Sequence, residues 1–114
     1  MTGLSTHVLD TARGRPAAGV SVLLESASAG KAWTEVGRGV TNADGRVPSL
    51  LPAGVSLAAG SYRLTFETGA YFAAAGVQGF YPSVPVVVEI RDPAVHYHVP
   101  LLLSPFGYST YRGS

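Results

Sequence analysis

GSYRLTFET, residues 60–68, is the stretch that decides the fold. Tyr62, Leu64 and Phe66 alternate with Arg63, Thr65 and Glu67. A period of two places the first three on one face and the second three on the other, as in a strand with one buried face. Downstream, VPVVVEIRD (84–92) sets Val86, Val88 and Ile90 inward. HYHVPLLLS (96–104) sets Tyr97, Val99, Leu101 and Leu103 on one face. Pro100 has no amide hydrogen, so that strand is expected to have an edge or a bulge near it. YSTYR (108–112), after SPFG, reads as a last short strand. Upstream, LSTHVLD (4–10), GVSVLLESA (19–27) and KAWTEVGRGVT (31–41) read as strands. They are separated by the turn cluster DTARGRP, and TNADGRV follows with Asp44-Gly45 at a left-handed turn. GAYFAAAGVQG (69–79) differs: three alanines between glycines favour a helix of about two turns. Seven or eight short strands and one small helix predict an all-β fold, an antiparallel two-sheet β-sandwich.

A chain of 114 residues fits one domain, 1–114, and can bury a core without staples. With Cys 0, disulfides, thiolate nucleophiles and cysteine metal sites are excluded. Eight basic and seven acidic residues give a net charge of +1, with no basic stripe or acidic tail. Nucleic acid and membrane are therefore not expected partners. Charged residues make up 13% against a usual quarter, and hydrophobic ones 46%. That balance leaves apolar surface to cover and hints at oligomerisation. The opening MTGLSTHVLDTARG lacks a basic n-region and a long apolar h-region, and no run is long enough for a membrane span. A cytoplasmic location is the expectation.

Groups able to do chemistry are few. His7 shares the face of Ser5 and Leu9, and His98 that of His96 and Leu102. Both project away from the Val/Leu rows. Such histidines are ordinary at surfaces and interfaces, but an imidazole also suits proton transfer at neutral pH. His96 and His98, two apart on a strand, point the same way, and His7 could complete a zinc site with them. HxH is a short signal with no carboxylate or thiolate beside it, and no metal is assigned. Arg46, after the Asp44-Gly45 turn, is either a solvated turn residue or a clamp for an anion or carbonyl. Arg112 carries the same two readings. The closing Tyr111-Arg112-Gly113-Ser114 is unusual for a tail, which needs neither ring nor guanidinium. P-loop, nucleophile-elbow and HExxH patterns are absent.

These pieces fit a known pattern. LSTHVLDTARGRPAAGVSVLL, TNADGR and HYHVPLLLSPFGYSTYRGS together resemble the transthyretin-related 5-hydroxyisourate hydrolase family over essentially the whole chain. The stretch YHVPLLLSPFGYST, followed by Tyr-Arg-Gly-Ser, is the most specific part. The resemblance implies a transthyretin-like sandwich of two four-stranded sheets with a short helix after the fifth strand. It implies a homotetramer, a dimer of dimers, with sites in a channel where dimers meet. It implies hydrolysis of 5-hydroxyisourate without a cofactor. His7, Arg46 and His98 match the family's catalytic positions; these and Tyr111, Arg112, Gly113 and Ser114 match its substrate-binding positions. Transthyretin itself has lysine, glutamate and threonine at the three catalytic positions and lacks the terminal tetrapeptide. Two other classes stand beside this reading: a non-catalytic carrier of a thyroid-hormone-like ligand, and a purely structural sandwich module.

Overall fold

A computed structural model describes residues 3–28 and 30–114. In chain order the strands are β1 (Gly3–Asp10), β2 (Arg15–Pro16), β3 (Ser21–Ala27), β4 (Thr34–Val40), β5 (Arg46–Val47) and β6 (Gly60–Phe66). The helix α1 (Thr68–Ala74) follows, then β7 (Val84–Ile90), β8 (His96–Ser104) and β9 (Gly107–Thr110). The helix thus comes after the sixth strand once the two-residue strands β2 and β5 are counted. One sheet runs β4-β3-β6-β7, all antiparallel. The other runs β2-β1-β8-β9, with β5 also on the free side of β1, so it has five strands where four were expected.

The alternation of β6 is realised: Leu64 and Phe66 are fully buried and Tyr62 nearly so. They meet Leu4, Val8 and Leu101 from the facing sheet in one core. Each such side chain contributes roughly 1.5–3 kcal/mol by leaving water. Among the described residues, no buried side-chain N or O lacks a hydrogen-bond partner. The Thr6 hydroxyl donates to the Val99 carbonyl, and Asp10 accepts from the Arg13 amide and the Tyr71 hydroxyl. Burial and the hydrogen bond to Asp10 push the Tyr71 hydroxyl pKa above its ordinary value. That bond ties α1 to the end of β1.

Three details depart from a plain antiparallel reading. β1 and β8 pair in parallel, Leu4 opposite Tyr97 and His7 opposite Pro100. Parallel neighbours need a long crossover, and here the whole second sheet lies between them in sequence. In KAWTEVGRGVT the even alternation breaks, because β3 and β4 slip register between Leu24 and Glu25. Finally, Pro100 ends β9 without shifting register. Leu101 faces Thr110, and two residues past the gap His98 pairs with Gly113 as an isolated bridge. With no amide hydrogen on Pro100 the ladder skips one step, and the Thr110 hydroxyl donates to the Pro100 carbonyl instead, at 2.7 Å. The Gly113 amide then donates to the His98 carbonyl at 2.8 Å. This resumption carries the terminal tetrapeptide back onto the histidine strand.

Candidate active site

The outer face of the β1–β8 sheet gathers most of the chain's scarce chemistry. Parallel register sets Ser5 opposite His98, and β5 sets Arg46 opposite His7. Gly45 makes the second pairing possible. Its φ is 74°, a left-handed value that side chains disfavour, and the turn it closes delivers Arg46 to the edge of β1. The same turn supplies the Asp44 carbonyl, 2.8 Å from His7 Nε2. A carbonyl can only accept, so His7 Nε2 carries a proton and a neutral His7 keeps its lone pair on Nδ1.

His98 is held more firmly. Its Nδ1 lies 2.8 Å from Ser5 Oγ, which is also 2.8 Å from His96 Nε2. On the opposite edge of the ring, a Cβ placed on Gly113 would fall 2.6 Å from His98 Cδ2. Only glycine lets the backbone lie against that ring. The resemblance placed Gly113 among the substrate-binding positions; the group its backbone approaches is the His98 ring. Burial, then the nearby Arg46, His7 and His96, push the His98 pKa below its ordinary 6.5. At neutral pH the ring is therefore uncharged and carries one lone pair, the state a general base needs.

A cleft of about 310 Å³ opens over these groups, bordered by Ser5, Arg46, Pro48, His96, His98 and Ser114. His7 stands beside it through its pairing with Arg46. The structure thus brings His7, Arg46, His98, Gly113 and Ser114 together. Tyr111 and Arg112 border a neighbouring cleft of about 360 Å³ with Glu89, Arg91 and Tyr97, and His98 lines this cleft as well as the first. The Arg112 guanidinium stacks 4.6 Å from the Tyr97 ring centroid, and Tyr111 is 56% exposed. Strand parity accounts for Arg112, which falls on the side of Tyr97, whereas Gly113 faces His98. No group of three or more His, Cys, Asp or Glu able to hold a metal ion occurs among the described residues. Sequence reading passed over Ser5 and the Asp44 carbonyl as partners of the histidines. Ser5 could have been found from its shared face with His7, given the β1–β8 register.

The fold and this face define the class. The HIUase/Transthyretin family model matches residues 4–113, and the chain belongs to that family. Within it, a 5-hydroxyisourate hydrolase of Mesorhizobium japonicum is 50% identical, over 97% of this chain and 91% of the relative. The solved 5-hydroxyisourate hydrolase of Klebsiella pneumoniae superposes with a TM-score of 0.83 at 43% identity, covering 97% of this chain and 98% of that one. Sea bream transthyretin in complex with thyroxine superposes with a TM-score of 0.88 at 35% identity, covering 96% and 93%. Among the described residues, no helix is long and apolar enough to cross a membrane.

Proposed function

We propose that this chain hydrolyses 5-hydroxyisourate to 2-oxo-4-hydroxy-4-carboxy-5-ureidoimidazoline, a step of urate degradation. The observation that carries the reading is His98, clamped by Ser5 and Gly113, in one cleft with Arg46. Water must lose a proton as it attacks the ring carbonyl, the carbonyl oxygen gains negative charge, and the departing ring nitrogen needs a proton. His98, with His7 beside it, serves water activation and proton transfer, and the Arg46 cation stabilises or orients the oxygen. Side chains thus supply base, acid and cation, and no step needs a metal. Gly113 and Ser114 close the cleft over the substrate. Tyr111 and Arg112 bind its outer edges from the adjacent cleft.

The chain acts in the cytoplasm as a homotetramer, a dimer of dimers that covers the outer face. Exposed Phe80, Val87 and Phe106, at 70%, 61% and 72%, fit a molecule that buries further apolar surface by association. A carrier of a thyroid-hormone-like ligand is the weaker alternative, because imidazoles and a guanidinium make this cleft polar and cationic. The test is turnover of 5-hydroxyisourate made fresh from urate, run beside binding of an iodinated thyronine. Binding without turnover favours the carrier.

The electrostatics add a pH prediction. His98 must be neutral to accept a proton, so kcat/KM falls on the acid side with a midpoint below 6.5. Arg46 is one cause of that depression, along with burial, His7 and His96. Removing its charge in Arg46→Met makes protonation of His98 easier, so the acid limb moves to higher pH while overall rate drops. A limb that stays put or moves to lower pH contradicts this account of His98.

A further inference from the structure

His98 is one end of a three-residue hydrogen-bonded chain whose other members have no role in the scheme above. Ser5 Oγ sits 2.8 Å from His98 Nδ1 and 2.8 Å from His96 Nε2. A hydroxyl has one proton, so it donates one of these bonds and accepts the other from a ring N–H. Only two arrangements are consistent when both rings are neutral. Either His98 Nδ1–H donates to Ser5 and Ser5 donates to His96, or the whole chain runs the other way. The first leaves the lone pair of His98 on Nε2, and the second puts a proton there. The Ser5 hydroxyl therefore couples the tautomers of the two histidines.

We infer that Ser5 and His96 are positioning residues that switch His98 between a base and an acid by passing protons along this chain. The chemistry rests on the hydrolytic reading above, and the surroundings of the chain set its direction. Nδ1 of His98 is taken by Ser5 and its Cδ2 edge by Gly113, leaving Nε2 without a protein partner among the described residues. Ser5 is 7% exposed and shielded, whereas His96 is exposed in the single subunit and borders the open cleft, whose water can stabilise a cation once the proton arrives. The outward chain, from His98 Nδ1–H to Ser5 to His96 Nε2, is the one that leaves the His98 lone pair on Nε2 for water and delivers the charge to His96, and it is the resting direction of this proposal.

In the forward step the water oxygen forms the new C–O bond, and the carbonyl π pair moves to the carbonyl oxygen. One water O–H bond breaks and its proton goes to His98 Nε2. The His98 Nδ1 proton passes to Ser5 Oγ, and the Ser5 hydroxyl proton passes to His96 Nε2. His98 is now neutral with a proton on Nε2, and the positive charge rests on His96. When the C–N bond breaks, its electron pair goes to the ring nitrogen, which takes the His98 Nε2 proton. The chain then runs back: His96 Nε2–H to Ser5, and Ser5 to His98 Nδ1. Protons and charge balance, and His98 never has to remain a cation in its partly buried position. His7 is unsuited to this double duty, because the Asp44 carbonyl accepts only and holds one tautomer.

The test combines ring tautomers with a mutant cycle. Nitrogen-15 NMR of the full-length protein without substrate reads which ring nitrogen of each histidine is protonated. The expected result is Nδ1–H on His98 in the wild type, with Nε2–H gaining population in Ser5→Ala. Turnover of 5-hydroxyisourate is expected to fall about tenfold or more in kcat for Ser5→Ala, with KM within about twofold. His96→Ala, on an exposed side chain, is expected to lower kcat less. The double variant is expected to be no slower than Ser5→Ala, because His96 acts only through Ser5. Wild-type His98 protonated on Nε2 at rest, or losses that multiply in the double variant, overturn the inference. Unchanged kcat in a folded Ser5→Ala overturns it equally. The tautomer measurement needs no substrate, so absence of wild-type turnover would count against the hydrolytic reading and leave the chain's direction still decided by NMR.

Discussion

Replacing His98 by alanine is expected to lower kcat for 5-hydroxyisourate about 10²–10⁴-fold, the usual contribution of a positioned acid–base group. The protein should still fold. His98 lies on the outer face of β8, while the core residues of that strand, Val99, Leu101 and Leu103, point the other way. Alanine removes the ring without exposing a buried polar partner to an apolar wall, because Ser5 keeps His96 as a hydrogen-bond partner. Stopped-flow or conventional absorbance decay of freshly made substrate gives the rate, and circular dichroism checks the fold. Near-normal turnover by folded protein would remove His98 from the chemistry. His7→Ala probes the other histidine in the same assay; its loss should be smaller if His98 does both proton transfers.

The second large effect is expected at Gly113. In Gly113→Ala the new methyl would lie 2.6 Å from His98 Cδ2, a separation that real contacts do not reach. One of the two must move. If the ring turns, its 2.8 Å bond to Ser5 breaks. If the backbone withdraws, the 2.8 Å bridge from the Gly113 amide to the His98 carbonyl breaks and Ser114 leaves the cleft. Misplacement of this size at a catalytic ring costs up to about 10²-fold in rate. Deleting residues 111–114 should cost at least as much. The effect on stability is smaller. The deletion removes the Arg112–Tyr97 contact, about 0.5–1 kcal/mol, and one backbone hydrogen bond of about 1 kcal/mol. Both variants should therefore lose activity far out of proportion to their change in Tm. A Gly113→Ala protein with full turnover contradicts the clamp on His98.

The sandwich was legible because its strands have one wet and one dry face. Tyr62, Leu64 and Phe66 show this by alternation alone, as do Tyr97, Val99, Leu101 and Leu103. The alanine-rich helix was legible from composition, with its start one residue earlier than the glycine suggested. Which strands become neighbours was not legible. The parallel pairing of β1 with β8 joins segments from opposite ends of the chain, and nothing in either segment alone names the other. The candidate site depends on that pairing. His7, Arg46 and His98 were marked by their residue types and by family resemblance, but the bond from Ser5 to His98 exists only because the register sets them opposite. The separation of Arg112 from the histidine cleft was hidden for the same reason. It follows from the β8–β9 register, which continues unshifted past Pro100, sets Gly113 against His98 and so turns Arg112 to the other face.

The most direct measurement is the decay of 5-hydroxyisourate absorbance with increasing amounts of purified protein, against the spontaneous decay without it. The account predicts a rate that rises in proportion to protein concentration, and falls back to the spontaneous rate when His98→Ala replaces the wild type. Decay at the spontaneous rate in the presence of folded wild-type protein would contradict it.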